Sequence, residues 1–287
     1  MTRDSGSGTR DPRHQIRDSG FGTRGLPRAR KRFGQHFLEA AWVTKLVNAL
    51  AIQPDETFLE IGPGRGALTG PLAAKAGKLI AVEIDRDLAA ALPARVPNVR
   101  VVEADFLNVD LADLLADERK PVRVVGNLPY NVASPILFKL LHESDDGRRL
   151  QDATLMLQKE VADRLVATPG SSDYGALAIQ VALLADVARL LSLPPGAFRP
   201  PPKVKSAVVR LRFRPAAADV GDRASFERLV RGLFLQRRKT VLNALKPLAD
   251  ASGRSAPELL ERAQVDARSR PEALTLDDMA RLSRAML

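Results

Sequence analysis

Cysteine is absent from all 287 residues, which excludes disulfides, thiolate metal sites and thiol catalysis and fits a reducing, cytoplasmic setting. Histidine is scarce. His14, His36 and His142 are too scattered to form a sequence-local zinc motif, and no metal is expected. Long apolar runs are missing as well. No window approaches the ~20 apolar residues of a membrane span, and the most apolar segment, 176–193, is broken by Gln180, Asp186 and Arg189. No hydrophobic signal-peptide core follows Met1. A soluble chain without a membrane partner is the expectation.

Positive charge is present in excess, at +10 and pI ≈ 10.3, which favours a polyanionic partner. It is unevenly spread. Residues 1–32 hold nine basic and three acidic side chains, so +6 lies there and only +4 in the remainder. Residues 1–27 are rich in Gly, Ser, Arg and Asp and contain an imperfect repeat, 3–10 against 17–24. Such a basic leader cannot bury enough surface to offset its ordering entropy, so disorder is predicted over 1–27. Four basic residues, Arg28, Arg30, Lys31 and Arg32, then lead into Phe33, Gln35, His36, Phe37 and Leu38. An amphipathic helix over 39–50 follows, with Trp42, Leu46, Val47 and Leu50 on one face.

Strands are predicted at 57–61, 78–84, 99–103, 122–125, 153–157, 184–193 and 207–213. Helices intervene at 67–76, 86–92, 134–143 and 159–167. This rhythm implies an α/β fold, a doubly wound and mostly parallel seven-stranded Rossmann-like sheet. After Arg214-Pro215 the pattern turns helical only, at 225–238, 240–249, 256–265 and 276–286. The division predicted is a catalytic α/β part, 28–215, and a small all-helical part, 216–287, with a hinge near 215–221.

Ligands of such sheets sit beyond the carboxyl ends of the strands. Four chemically distinctive positions fall there: the glycine turn Gly62-Pro-Gly-Arg-Gly66, Glu83, Asp105 and Asn127. The turn reads G-x-G-x-G and not G-x-G-x-x-G, which tilts away from a dinucleotide-binding helix terminus. Glu83, ~20 residues on, suits a carboxylate accepting from a ribose diol. Nicotinamide cofactors and S-adenosylmethionine both present that diol. Asp105 either accepts from an adenine amino group or caps the helix after it.

The loop Gly126-Asn127-Leu128-Pro129-Tyr130-Asn131 separates the two cofactors. No proton relay suited to hydride transfer accompanies it. The Asn127 side-chain oxygen and the Leu128 carbonyl are two acceptors, and Tyr130 offers a stacking face. The residue before a proline is pushed out of the helical region, so Leu128 should turn its carbonyl outward. Adenine N6 is a poor nucleophile because its lone pair is delocalised into the ring. Two acceptors on its hydrogens would favour the tetrahedral form and aim the lone pair at an electrophilic methyl. Phe198, between prolines, is either a core plug or a second stacking wall. Gln236-Arg237-Arg238-Lys239 reads as a phosphate contact in preference to a solvated helix end.

Together, Lys31-Arg-Phe-Gly-Gln-His-Phe-Leu38, Glu60-Ile-Gly-Pro-Gly-Arg-Gly66, Val82-Glu-Ile-Asp85, Gly126-Asn-Leu-Pro-Tyr-Asn131, Pro201-Pro-Lys-Val204 with Ser206-Ala-Val-Val209, and Gln236-Arg-Arg-Lys-Thr240 resemble a known family. It is that of the bacterial small-subunit ribosomal RNA adenine dimethyltransferases, and the resemblance runs from about Arg28 to the C-terminus. It implies S-adenosylmethionine held by His36, Leu38, Gly62, Gly64, Glu83, Asp105 and Asn127. It also implies a target adenine held by Asn127, Leu128, Pro129 and Tyr130 with Phe198 stacking opposite, and RNA contacts from Arg30, Lys31, Arg32, Lys203, Arg237, Arg238 and Lys239. The implied reaction dimethylates N6 of two adjacent adenines near the 3′ end of small-subunit RNA, within a pre-30S particle, by a monomer. His36 departs from the family's usual Asn, and the leader is a further departure. Two rivals stand beside this reading: a resistance-type methylase of large-subunit RNA, and a non-catalytic assembly factor that keeps the cofactor fold.

Overall fold

The computed structural model describes residues 36–144 and 147–287. The leader 1–27 and the basic residues Arg30, Lys31 and Arg32 lie outside the described residues.

Chain order is β1 (Phe37–Leu38), α1 (Ala40–Leu50), β2 (Thr57–Ile61), α2 (Thr69–Ala73), β3 (Lys78–Glu83), α3 (Arg86–Ala91), β4 (Val99–Glu103), α4 (Leu111–Leu114) and β5 (Val122–Asn127). Then come α5 (Ala133–Glu143), β6 (Leu150–Gln158), α6 (Lys159–Leu165), α7 (Ala176–Leu184), β7 (Ala185–Leu193), β8 (Phe198–Arg199) and β9 (Ser206–Phe213). Four helices close the chain: α8 (Arg223–Leu235), α9 (Val241–Ala251), α10 (Ala256–Ala263) and α11 (Leu276–Ala285).

The large sheet has seven strands in the order β4-β3-β2-β5-β6-β9-β7. The first five are mutually parallel, and β9 lies antiparallel between β6 and β7. Strand order reverses between β2 and β5, so the crevice at their carboxyl ends is where such a fold receives a ligand. Central strands are buried on both faces, which is why β2, β3 and β5 read as nearly continuous apolar runs. Leu59, Ile61, Ile80, Val82 and Val124 face α5. Phe58, Leu79, Ala81 and Val125 face α1, which presents Val43, Leu46, Val47 and Leu50. Trp42 was expected on that buried face but is only half-buried, with the Lys45 ammonium 4.1 Å above its ring.

Helix α7 was not foreseen. It is buried nearly all round, through Ala178, Ile179, Gln180, Val181, Leu183 and Leu184, so no polar face marks its period. The change from strands to helices near 215 does not interrupt the core. One apolar cluster runs from Leu184 and Phe213 through Val220 and Phe226 to Met279. Hydrogen bonds cross the same seam, Tyr174 Oη donating to Leu274 O at 2.9 Å and the Gly170 amide to Glu272 O at 2.8 Å.

Candidate active site

At the end of β2 the chain bends through Gly62 and Gly64, whose φ values of +67° and +57° lie in the left-handed region. A Cβ on Gly64 would meet the Phe37 ring at 3.3 Å, so the turn is pressed between β1 and the cavity. The Gly64 amide donates to Glu83 Oε2 at 2.8 Å, and the Asp85 amide to Glu83 Oε1 at 2.9 Å. Each carboxylate oxygen is thereby aimed, with lone pairs left over for a diol. Burial raises the Glu83 pKa, and the two amides oppose the shift. Asp105 takes the capping role and stands at the cavity as well. Its Oδ1 accepts from the Leu107 amide at 3.0 Å, capping a short 3₁₀ turn (Phe106–Asn108), while the residue also lines the cavity.

Opposite the glycine turn, Asn127 closes β5. Its Nδ2 donates to the His36 carbonyl at 2.7 Å. A carbonyl can only accept, so this bond orients the amide and leaves Oδ1 as the group free to accept from a ligand. Leu128 is only 2% exposed and is also one of the residues that line the cavity. Tyr130 is pinned at its hydroxyl by Ser206 Oγ at 2.7 Å, and its ring stacks with His36, centroids 6.2 Å apart. His36 Nδ1 bonds Pro200 O at 2.7 Å, which places the ring proton on Nδ1.

His36 belongs to a strap. Strand β1 pairs antiparallel with β8, Leu38 opposite Phe198, and the Glu39 amide donates to Ala197 O at 2.9 Å. This pairing corrects the expectation for Phe198. The ring is 1% exposed, packs in the apolar cluster with Leu38, Val43 and Leu46, and does not line the cavity. Pairing with β1 turns the side chain into the core, so Phe198 presents no second stacking wall here.

The cavity, of about 210 Å³, is lined by all the other anticipated cofactor and base positions: His36, Leu38, Gly62, Gly64, Glu83, Asp105, Asn127, Leu128, Pro129 and Tyr130. It also takes in residues that sequence reasoning passed over. Ile84 lines the wall at 51% exposure, an apolar residue between two carboxylates just past a strand end, which is itself a readable signal. Glu60 also lines it, and a lone carboxylate in an otherwise apolar central strand was equally readable. Ser206, from β9, does not line the cavity and acts on it only through the Tyr130 hydroxyl. None of the basic positions Lys203, Arg237, Arg238 and Lys239 lines the cavity. Lys203, Arg238 and Lys239 are exposed. The Arg237 guanidinium is held by Glu272 at 2.8 Å and by Ser172 O at 3.1 Å.

The family model for "Ribosomal RNA adenine dimethylase" matches residues 27–286. The chain belongs to this family. It is 44% identical over 267 residues to a "Ribosomal RNA small subunit methyltransferase A" of Acinetobacter baylyi, covering 91% of this chain and 93% of the relative. A protein of the same name from Nitrosococcus oceani is 45% identical over 265 residues, with 91% and 97% covered. Among solved structures, a dimethyladenosine transferase from Plasmodium falciparum superposes with a TM-score of 0.70 at 28% identity, covering 86% of this chain and 96% of that one. The 23S rRNA methyltransferase ErmE gives 0.62 at 26% identity, with 87% and 99% covered.

Adenine dimethylases of this family take their methyl groups from S-adenosylmethionine, and the cavity fits it. The glycine turn permits close backbone approach, and Glu83 is held ready for a diol. A buried carboxylate oxygen on Glu60 has no hydrogen-bond partner among the described residues.

Proposed function

We propose that this chain transfers methyl groups to N6 of two adjacent adenines in a loop near the 3′ end of small-subunit ribosomal RNA, as a cytoplasmic monomer acting on a pre-30S particle. The observation that carries this reading is the Asn127 amide. Its N–H is taken by the His36 carbonyl, so Oδ1 and the Leu128 carbonyl are two acceptors at one cavity wall. Accepting both hydrogens of an exocyclic amine draws its lone pair out of ring conjugation. Pro129 holds Leu128 extended and Tyr130 presents its ring beside them, a platform for a base taken out of its stack.

S-adenosylmethionine, when bound, supplies the electrophilic methyl. The chain's own part is to hold the amine in line, keep water from the apolar cavity and take the ring by stacking. No general base is needed before attack, because the methylated ammonium formed at each transfer is acidic and loses its proton to solvent. Further groups complete the proposed site: His36, Leu38, Gly62, Gly64, Glu83 and Asp105 for the cofactor, and Lys203, Arg238 and Lys239 for phosphate. Residues 216–287 serve RNA recognition. Arg237, compensated by Glu272, serves chiefly to hold that helical part against the loop at Ser172.

The test is transfer of labelled methyl from S-adenosylmethionine to small subunits that lack N6-dimethyladenine, run beside large subunits. Four methyls per small subunit, in two adenines, is the expected result. Label only in large-subunit RNA would support the rival that the ErmE likeness suggests. Particle binding without label would support an assembly factor.

A further inference from the structure

Glu60 takes no part in the scheme above. It lies one residue before the end of β2, 3% exposed, and lines the cavity with Glu83. Among the described residues its buried Oε2 has no hydrogen-bond partner, and neither has the hydroxyl of Thr69 at the start of α2. A buried carboxylate in this state is unusual, because removing the charge from water costs several kcal/mol when nothing compensates it.

Its neighbours do not compensate it. Ala81 on β3 and Val125 on β5 lie opposite it in register. Glu83, also on β3, adds a like charge, and Thr69 on α2 eases the burial without closing a hydrogen bond of good geometry. In the glycine turn, the Arg65 guanidinium lies 4.4 Å over the Phe37 ring. Burial first, then the Glu83 charge, push the Glu60 carboxyl up to about 8. At neutral pH it therefore holds its proton. The described residues that line the wall include no lysine or arginine, and the cavity faces a ligand with two cationic groups, an α-ammonium that the demethylated product keeps and a sulfonium that it loses. S-adenosylmethionine carries a sulfonium, whereas the S-adenosylhomocysteine left after transfer carries a neutral thioether.

We propose that Glu60 is the group by which the site distinguishes S-adenosylmethionine from its demethylated product. It yields its proton to solvent as the sulfonium cation enters, and the resulting carboxylate holds the cation. When the methyl leaves, sulfur keeps the bonding pair and becomes neutral, and Glu60 takes a proton back from solvent. Retention of the spent cofactor falls accordingly. The inference rests on the S-adenosylmethionine reading of the cavity. Glu83 meets the ribose that both ligands share, so its titration enters both affinities and cancels in their ratio.

Calorimetric titration of the full chain with each ligand, in phosphate and in Tris, counts the protons released on binding. At pH 7, S-adenosylmethionine is expected to release the larger part of one proton and S-adenosylhomocysteine less than half as much. Between pH 6 and pH 8 the affinity ratio of the two should rise about tenfold, the change expected for one charge linked across about one pKa unit. In Glu60→Gln the ratio should become independent of pH. Equal proton release with both ligands overturns the inference alone, as does a pH-dependent ratio that survives Glu60→Gln. Binding of neither ligand overturns the cofactor reading and this inference with it. The wild-type comparison decides the matter even where the variant fails to fold.

Discussion

Strand β5 carries a polar side chain near each end, buried Arg123 and half-buried Asn127, and the two are treated differently. At the amino end, Arg123 is 4% exposed and fully engaged. Its Nη1 donates to Glu56 at 2.9 Å, its Nε and Nη2 embrace Asp152 at 3.0–3.2 Å, and its guanidinium lies 4.9 Å from the Phe58 ring centroid. At the carboxyl end, on the same face of the sheet, Asn127 is bonded through its N–H alone. Next door, Glu60 has an oxygen without a hydrogen-bond partner among the described residues. Charge at one end is cancelled within the protein, and polar capacity at the other end is left open. Groups closed on themselves serve the fold, and groups oriented but unsatisfied serve a ligand.

The contrast makes quantitative claims. The largest effect is expected from Arg123→Ala, which leaves buried Asp152 with only Arg210, at 3.9 Å, to face it and deprives half-buried Glu56 of its guanidinium partner. Loss of roughly 3–5 kcal/mol of unfolding free energy in urea melts is the expected cost. A loss below ~1 kcal/mol would show that the network is not closed in the manner described. Asn127→Ala should do the reverse, cutting methyl transfer by roughly 10²–10³-fold while leaving urea stability nearly unchanged. Transfer at the wild-type rate would remove Asn127 from the reaction.

Glu60 gives a smaller effect with a definite sign. Its folded-state pKa, about 8, is raised above the ordinary 4.5, so the folded chain keeps this proton where the unfolded chain has lost it. The stability linked to it is whole below about pH 4.5 and is lost progressively as pH rises to about 8. Glu60→Gln should therefore exceed wild type in stability by about 1–3 kcal/mol at pH 8, with the gap closing toward pH 5. A gap that widens on acidification would reverse the assignment. The smallest effects concern the basic pair of the helical part. Arg237→Ala breaks a half-exposed ion pair with Glu272 and should cost up to about 1 kcal/mol of stability. Arg238→Ala should leave stability alone and lower the salt slope of particle binding by about 1. Identical behaviour of the two variants would erase the distinction.

All seven strands of the large sheet were legible in the chain, the inner ones because a strand buried on both faces must be apolar, the half-exposed edge strands β4 and β7 through their Val and Leu residues. The glycine turn, Glu83, Asp105 and the Asn127–Tyr130 loop were legible for the same reason, since polar residues at parallel strand ends gather in one crevice. Helix α7 was not, because a helix buried on every side carries no period. Nor was the pairing of β1 with β8, which joins residues 160 or more positions apart through two backbone rungs. That contact alone decided that the His36 carbonyl reaches Asn127, and that Phe198 is a core residue and not a wall of the site. Local chemistry named the polar residues that gather at the cavity. Long-range backbone pairing, which leaves no mark in a single sequence, decided which way each of them faces.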